Sequence, residues 1–463
     1  MESKHFRMPT AYTILFLLIF LVAIATWLIP AGAYDYADSV PLAGTYHLTT
    51  PSPQGIGAVL KAAFSGFYDA VDVCVFILMV GGFLGVVMKT GAVDAGVGAV
   101  IRRLGGREKW LIPILMLFFG LGGSTFGMWE ETMAFYPLLI PVFLAAGYDA
   151  VVGISVILLG AGAGVIASTV NPFATGIAAG FAGVSLGEGI LLRLLQWVVF
   201  ESAAIWFVMG YAAKVKKNPS RSVVGVGAGK LQASMEKTIN FTPRRKLIMA
   251  VFAAVFAVMI YSVIPFDELG TALPALGWWF PELSALFLVG GIAIGLIDRM
   301  EEPDLVDTFV AGCADMLGVA LIIGISRGIT VIMNDGSITD TILHWGEDAL
   351  SGAGPIAFVL LVYLLYLPLS VLIPSSSGLA TLSVPIVAPL GKFAGVGGDL
   401  VVTAFQSASG LVNIITPTAA VVMGALALGH VPYDRWLKYV WKLIVYFLLL
   451  TCLFLVAGTV LGQ

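Results

Sequence analysis

From Ala150 to Gly187 the chain runs 38 residues without a charged side chain, and at the middle of that run stands "STVNPFATG", Ser168 to Gly176. A helix crossing a bilayer needs about 20 apolar residues. This stretch is long enough to span, yet hydroxyls, an amide and a proline interrupt it at its centre. In hydrocarbon, backbone N–H and C=O groups must be satisfied inside the protein, and proline removes one ladder bond while clashing with the preceding turn. The run therefore predicts a helix that unwinds at membrane depth, where it is buried in protein or lines a wet cavity.

The remainder of the chain makes the same demand. Charged residues are 11% of the sequence and the mean hydropathy is +0.98, against about 25% charged in a soluble domain. This composition predicts an all-α polytopic membrane protein. Its net charge of −4 is spread along the chain, which leaves no nucleic-acid footprint and no acidic tail. Cys74, Cys313 and Cys452 are far apart in apolar stretches and read as buried thiols, with neither a disulfide framework nor a zinc spacing. Met8 to Tyr34 reads as a span, because its apolar core exceeds the ~7 to 15 residues of a signal peptide.

Basic residues favour the cytoplasmic side. Lys4 with Arg7, Arg102-Arg103 through Lys109, Lys214 to Lys246 and Arg435 to Lys442 form four clusters that all fall inside, whereas Asp35 to Gln54 and Trp345 to Pro355 fall outside. That assignment puts the N-terminus and a Gly/Ser-rich central linker, 216–243, in the cytoplasm and the C-terminus outside. Trp278-Trp279-Phe280 reads as an interfacial belt.

An internal repeat sets the architecture. "FSGFYDAVDVCVFILMVGGFLGVVMKTGAV", Phe64 to Val93, lies without gaps over "FVAGCADMLGVALIIGISRGITVIMNDGSI", Phe309 to Ile338. Downstream, Pro137 and Pro141 match Pro385 and Pro389, and Asn171-Pro172 matches Thr416-Pro417. The second half carries an additional apolar stretch, Leu283 to Ile297, so the two halves enter the membrane from opposite sides. Such inverted-topology repeats are a common plan of secondary transporters. Counting sides makes 110–148 and 354–397 re-entrant hairpins, with tips "GLGGSTFG" and "PSSSG", and makes 150–187 and 399–430 broken helices, the second broken at "NIITPT". The expected fold is two inverted repeats, 1–215 and 244–463, with about nine transmembrane helices, two re-entrant hairpins and two broken helices.

Two tips and two breaks related in this way can meet at the bilayer centre. The candidate substrate residues are Ser124 and Thr125 at the first tip, Asn171 at the first break, Ser375, Ser376 and Ser377 at the second tip, and Asn413, Thr416 and Thr418 at the second break. Hydroxyl, amide and carbonyl oxygens suit a dehydrated Na+, which makes Ser168, Thr169, Asn171, Asn413 and Thr416 candidate Na+ ligands; H+ is the other candidate coupling ion. Glu130 and Glu131 follow the first tip, where ionisable groups are costly and normally functional; they suit a cationic substrate group or a proton. Arg327 has Gly82 as its repeat partner, and a guanidinium present in one half only suits either a bidentate grip on a substrate carboxylate or a structural ion pair. Asp69, Asp72 and Asp315 are secondary candidates near the entrance of the same span. Arg193 and Glu201, on one helix, read as a structural pair or as interfacial charges. No P-loop, metal-ligating His/Cys set or Ser-His-Asp arrangement is present, which argues against ATP-driven transport and against an enzyme.

The paired hairpins, "STVNP", "NIITPT" and "GMWEETMAFYPLLIP", Gly127 to Pro141, resemble the C4-dicarboxylate anaerobic carrier family of bacteria, and in particular its branch of arginine/ornithine-type basic amino acid antiporters, within the ion transporter superfamily. The resemblance covers nearly the whole chain. It implies an inner-membrane secondary carrier, homodimeric, without a cofactor, whose small-molecule substrate crosses by an elevator motion of hairpins and broken helices against a scaffold. It carries over Na+ and substrate contacts to Ser124, Thr125, Asn171, Ser375 to Ser377, Asn413 and Thr416. The tips do not carry the superfamily's serine-asparagine-threonine triplet. The charges favour an amino acid as cargo, which the resemblance implies to be a basic one, with a C4-dicarboxylate or other carboxylate as the alternative, while a channel is the alternative of another class.

Overall fold

A computed structural model describes residues 11–37, 40–42, 44–93, 95–96, 107–125, 127–185, 187–224, 241–263, 273–274, 276–278 and 280–462. Lys4, Arg7, Arg102-Arg103, Trp279 and most of the central linker lie outside the described residues. Apart from two pairs of two-residue antiparallel strands between 32 and 48 and a few turns of tighter or wider helix, the regular structure is α-helical. Among the described residues six helices are long and apolar enough to cross a membrane, Val71–Lys89, Ile190–Lys217, Phe280–Asp298, Glu302–Asp335, Pro355–Leu372 and Tyr433–Val460. The chain is a multi-pass, all-helical membrane protein.

The helices fall into two packed groups. In the first, α1 (Ala11–Leu28), α2 (Ile56–Asp69), α3 (Val71–Lys89) and α10 (Phe280–Asp298) pack on the long α11 (Glu302–Asp335), and α9 (Pro243–Val263) packs on α10. Small residues let the backbones touch: a Cβ on Gly81 would lie 2.5 Å from the Gly312 carbonyl oxygen. The second group contains α4 (Leu111–Thr125), α5 (Tyr136–Ala145), α6 (Ala150–Ile166), α7 (Ile177–Ala182) and α8 (Ile190–Lys217). It is completed by α13 (Pro355–Leu372), α14 (Ser376–Phe393), α15 (Gly398–Asn413), α16 (Ala420–Leu428) and α17 (Tyr433–Val460). Here α4 packs between α6 and α8, and α15 packs against α6, α13, α14 and α17. Between the groups, α16 touches α11, while α12 (Thr339–Leu350) lies against α14.

All four interruptions expected from the sequence are present as breaks in helix. After α4 the chain leaves helix and re-forms as a tight 3-10 segment, Glu130–Phe135, that leads into α5; Pro137 sits where a helix tolerates a missing N–H. After α6, starting at the Asp149 N-cap whose Oδ1 accepts from Val152 N at 3.0 Å, helix stops at Ile166 and resumes through a wide turn, Pro172–Gly176, into α7. Ser375 caps α14 by accepting from Gly378 N at 3.2 Å, and Asn413 ends α15 before Thr416, Pro417 and Thr418.

The matched repeats Phe64 to Val93 and Phe309 to Ile338 differ locally, for Ala70 leaves helical geometry (φ −122°, ψ 26°) and separates α2 from α3, whereas α11 is continuous. Two expectations are corrected. Arg193 and Glu201 are not an ion pair. Eight residues amount to about 12 Å of helix, and Arg193 instead donates to the Glu188 carbonyl at 2.9 Å. Phe280 is no interfacial residue either, being buried with its ring 5.4 Å from that of Phe76.

Candidate functional site

A cavity of about 150 Å³ opens where the four interruptions meet. From the second helix group it is lined by Gly127, Trp129, Glu130 and Glu131 after α4, Asn171 after α6, Pro374 to Ser377 at the start of α14, Asn413 at the end of α15, and Thr418 before α16. From the first group come Ser326 and Arg327 of α11, Val73 of α3 and Phe280 of α10. The cavity thus lies on the seam between the two groups, with the guanidinium on one wall and the carboxylates on the other.

Each wall has its own electrostatic logic. Glu130 and Glu131 occupy the first turn of the 3-10 segment, where backbone N–H groups lack helical partners and favour negative charge. Glu131 is buried and its carboxylate accepts from Trp129 N at 3.1 Å. Glu130 is within electrostatic reach of Arg327 and Asp72. On α11, Arg327 Nε stands 3.7 Å from Asp69 Oδ2, and the N-termini of α14 and α16, in the same group as the glutamates, reach the cavity through Ser375 to Ser377 and Thr418 to Val421. Asn413 Oδ1 is buried and accepts no hydrogen bond among the described residues. Leaving such an oxygen unmatched costs about 1–3 kcal/mol, which a ligand donor in the cavity would recover.

Not every sequence candidate reaches the cavity. The Thr125 hydroxyl donates back to its own helix, to the Leu121 carbonyl at 2.7 Å. Ser124, Ser168 and Thr169 lie behind the lining in a hydrogen-bonded knot: Ser124 Oγ pairs with Thr169 Oγ1 at 3.1 Å, and the Ser124 carbonyl accepts from Thr169 N at 2.9 Å. Ser168 Oγ pairs with Thr175 Oγ1 at 2.8 Å, and Thr175 with Gln406. These hydroxyls join α4 to the α6 break. Thr416 is likewise engaged, its Oγ1 2.8 Å from that of Thr418, which does line the cavity. Of the secondary acids, Asp69 pairs with Arg327, Asp72 accepts from Val73 N at 2.8 Å, and Asp315 is exposed. Trp129, Ser326, Thr175 and Gln406 were not singled out by the sequence. Ser326 had a signal in its adjacency to Arg327, and Gln406 in being an amide inside the uncharged run that begins at Leu400.

Over residues 8–460 the chain matches the C4-dicarboxylate anaerobic carrier family, DcuC. The chain belongs to that family. As a DcuC-family protein it is a membrane transporter of a small-molecule substrate, and not an enzyme. It is 34% identical to an uncharacterised protein of Haemophilus influenzae, over 98% of this chain and 97% of that one. A DcuC-family relative from Escherichia coli, named as the "putative basic amino acid antiporter YfcC", is 30% identical over 94% of this chain and 93% of its own. Among solved structures, the Alcanivorax borkumensis YdaH transporter aligns at 16% identity over 98% of this chain and 100% of its own, with a TM-score of 0.44. Neisseria gonorrhoeae MtrF, described with a class of antimetabolite efflux pumps, aligns at 18% identity over 96% and 95%, with a TM-score of 0.46.

Proposed function

We propose that this DcuC-family carrier exchanges basic amino acids by elevator-type alternating access. The observation that carries the reading is that one cavity is lined by both kinds of charge, Glu130 and Glu131 from the second helix group and Arg327 from the first, with the N-termini of α14 and α16 also opening into it. A basic amino acid presents a carboxylate to one wall and a cationic side chain to the other. At about 150 Å³ the space is below the ~300–1,000 Å³ of drug-sized pockets, which suits a small metabolite. The name given to the E. coli relative points the same way.

Alternating access draws support from the seam. Ile323, Ser326, Arg327, Val73 and Phe280 belong to one helix group and the other lining residues to the other group, so relative sliding would carry Glu130, Glu131, Asn171 and Asn413 past a fixed Arg327. An unoccupied charged site is costly to move through a dehydrated barrier; bound substrate neutralises it and permits the crossing. In this reading the helix-break-helix elements at 110–148 and 354–397 are re-entrant hairpins of two inverted repeats, 1–215 and 244–463. The N-terminus and linker are cytoplasmic, the C-terminus is outside, and the carrier works as a homodimer in a bacterial inner membrane with Na+ or H+ as coupling ion.

The family's description favours a second reading, a C4-dicarboxylate as cargo, in which Arg327 and the helix N-termini hold the substrate and the two glutamates carry protons. Counterflow in proteoliposomes separates the two. Vesicles loaded with arginine, ornithine and lysine should take up labelled arginine, and vesicles loaded with succinate and fumarate should not take up labelled succinate. Succinate exchange without arginine exchange would overturn the basic amino acid reading. Flux that does not saturate would favour a channel.

A further inference from the structure

Among the described residues Glu201 is a buried carboxyl for which neither the cavity nor a partner accounts. It is 1% exposed, and neither carboxyl oxygen has a hydrogen-bond partner among the described residues. The residue stands in the span α8, about 20 Å of helix before Lys214. Its carboxyl is seated on the backbone of α4: a Cβ on Gly120 would lie 2.7 Å from Glu201 Cδ and would overlap Oε2. Only glycine at that position admits the group. Trp197, one turn earlier on the same face of α8, also has a buried Nε1 without an acceptor among the described residues.

Among the described residues nothing packed against this point offers a counter-charge. Neither α4 nor α6 contains a charged or titratable residue. On α17 the charges Asp434, Arg435, Lys438 and Lys442 crowd the N-terminal turns, and beside Phe200 that helix presents Phe447, whose ring is 4.6 Å away. Of its other titratable groups, the Tyr433 hydroxyl donates to the Ile415 carbonyl, Tyr439 pairs with Ser155 and packs on Phe207 and Tyr211 further along α8, Tyr446 is exposed and Cys452 is partly buried. On α8 itself Arg193 is about 12 Å distant. Burying a carboxylate with neither charge partner nor donor costs several kcal/mol, whereas a neutral carboxyl is tolerated.

We propose that Glu201 is a proton-binding site of the carrier, separate from the substrate cavity, occupied while α4 is packed on α8 and emptied when that contact opens. Opening lets water reach the carboxyl; its O–H bond then breaks, the proton passes to water, and the carboxylate stays hydrated. A proton affinity that differs between packed and open states means, by linkage, that the α4 position depends on pH. Because α4 ends at the tip that carries Gly127, Glu130 and Glu131, proton binding at Glu201 is coupled to closure of the cavity. The link to flux rests on the transporter reading; the protonation itself does not.

Two measurements on the full-length protein test this separately. In infrared spectra of the purified protein without substrate, the carbonyl stretch of a protonated carboxyl should persist to neutral pH in the wild type and be lost in Glu201→Gln, so that it stands in the wild-type-minus-variant difference spectrum. Absence of that band would overturn the proposal even if arginine exchange is found, and its presence would support the site even if exchange of basic amino acids fails. In proteoliposomes, Glu201→Gln should keep counterflow within a few-fold while losing its pH dependence. A wild-type pH profile in E201Q would overturn the coupling. Should E201Q not fold, Glu201→Asp, which draws the carboxyl back from Gly120, should shift the pH midpoint, and an unmoved midpoint would count against the proposal.

Discussion

Gly127 and Asn171 are in direct apposition across the cavity mouth: a Cβ on Gly127 would fall 2.6 Å from Asn171 Nδ2 and 2.7 Å from Oδ1. Gly127 also holds a left-handed backbone (φ 77°). The tip of the first helix-break-helix element is thereby fitted to the break of α6, since only a residue without a Cβ both adopts that turn and leaves the amide its place.

Gly127→Ala should therefore impair transport more than folding. The left-handed conformation costs a non-glycine residue about 1–2 kcal/mol, and the methyl must displace Asn171. A KM for counterflow raised about tenfold at near-normal folded yield, consistent with ~1.4 kcal/mol per decade, is the expected result. An unchanged KM would remove Asn171 from the site.

Asn413→Ala separates binding from stability. With its Oδ1 unmatched in the empty protein, the substitution takes away no hydrogen bond of that oxygen, so the melting temperature without substrate should change little. Thermal stabilisation by added arginine should shrink, because a hydrogen bond to a charged ligand is worth about 1.5–3 kcal/mol. Equal stabilisation of variant and wild type would contradict the assignment.

Glu130→Gln and Glu131→Gln keep shape and remove charge at the wall opposite Arg327. Arginine counterflow should fall at least about tenfold in one of the two, since truncating one side of a buried charge contact costs 2–5 kcal/mol. Full arginine exchange by both variants would remove the two glutamates from the substrate contacts.

The glycine contact between α3 and α11 predicts a folding defect. Gly312→Val should lower thermal stability by about 1–3 kcal/mol, as overpacking does, because the added side chain meets the backbone of Gly81 and Gly82. Gly57, on α2, has open space around it, and Gly57→Ala should be neutral or stabilising by up to ~1 kcal/mol. Similar melting curves for both variants would rule out tight packing at Gly312.

Outside the spans, the segment between α1 and α2 confers an alkaline sensitivity. Burial, and hydrogen bonds to Glu347 and Asp340 respectively, raise the phenol pKa values of Tyr34 and Tyr36 above the ordinary value. The folded chain thus retains protons that the unfolded chain releases. This stability is fully present below about pH 10, the free tyrosine value, and is lost as pH rises through the folded values. A double Tyr34→Phe, Tyr36→Phe variant should melt lower at neutral pH, and its melting temperature should fall less steeply above pH ~10. Parallel curves for variant and wild type would contradict this.

The sequence by itself determined the solvent and the punctuation. Charge-poor runs longer than a bilayer needs, and the interruptions at "STVNP", "NIITPT", "GLGGSTFG" and "PSSSG", are local facts, because proline, glycine and hydroxyl-rich stretches end helices wherever they stand. What faces what was decided only by the tertiary structure. In a soluble helix an apolar stripe marks the inner face, but α6 is buried at every position from Ala150 to Ile166, so no periodicity could say which side chains look into a cavity. The packing of distant helices set Arg327 across from Glu130, turned Thr125 back on its own helix, tied Ser124 to Thr169, and left Glu201 against Gly120 instead of beside Arg193. Helix propensity and composition act through neighbours in sequence, whereas charge contacts and cavities depend on residues brought together from hundreds of positions apart.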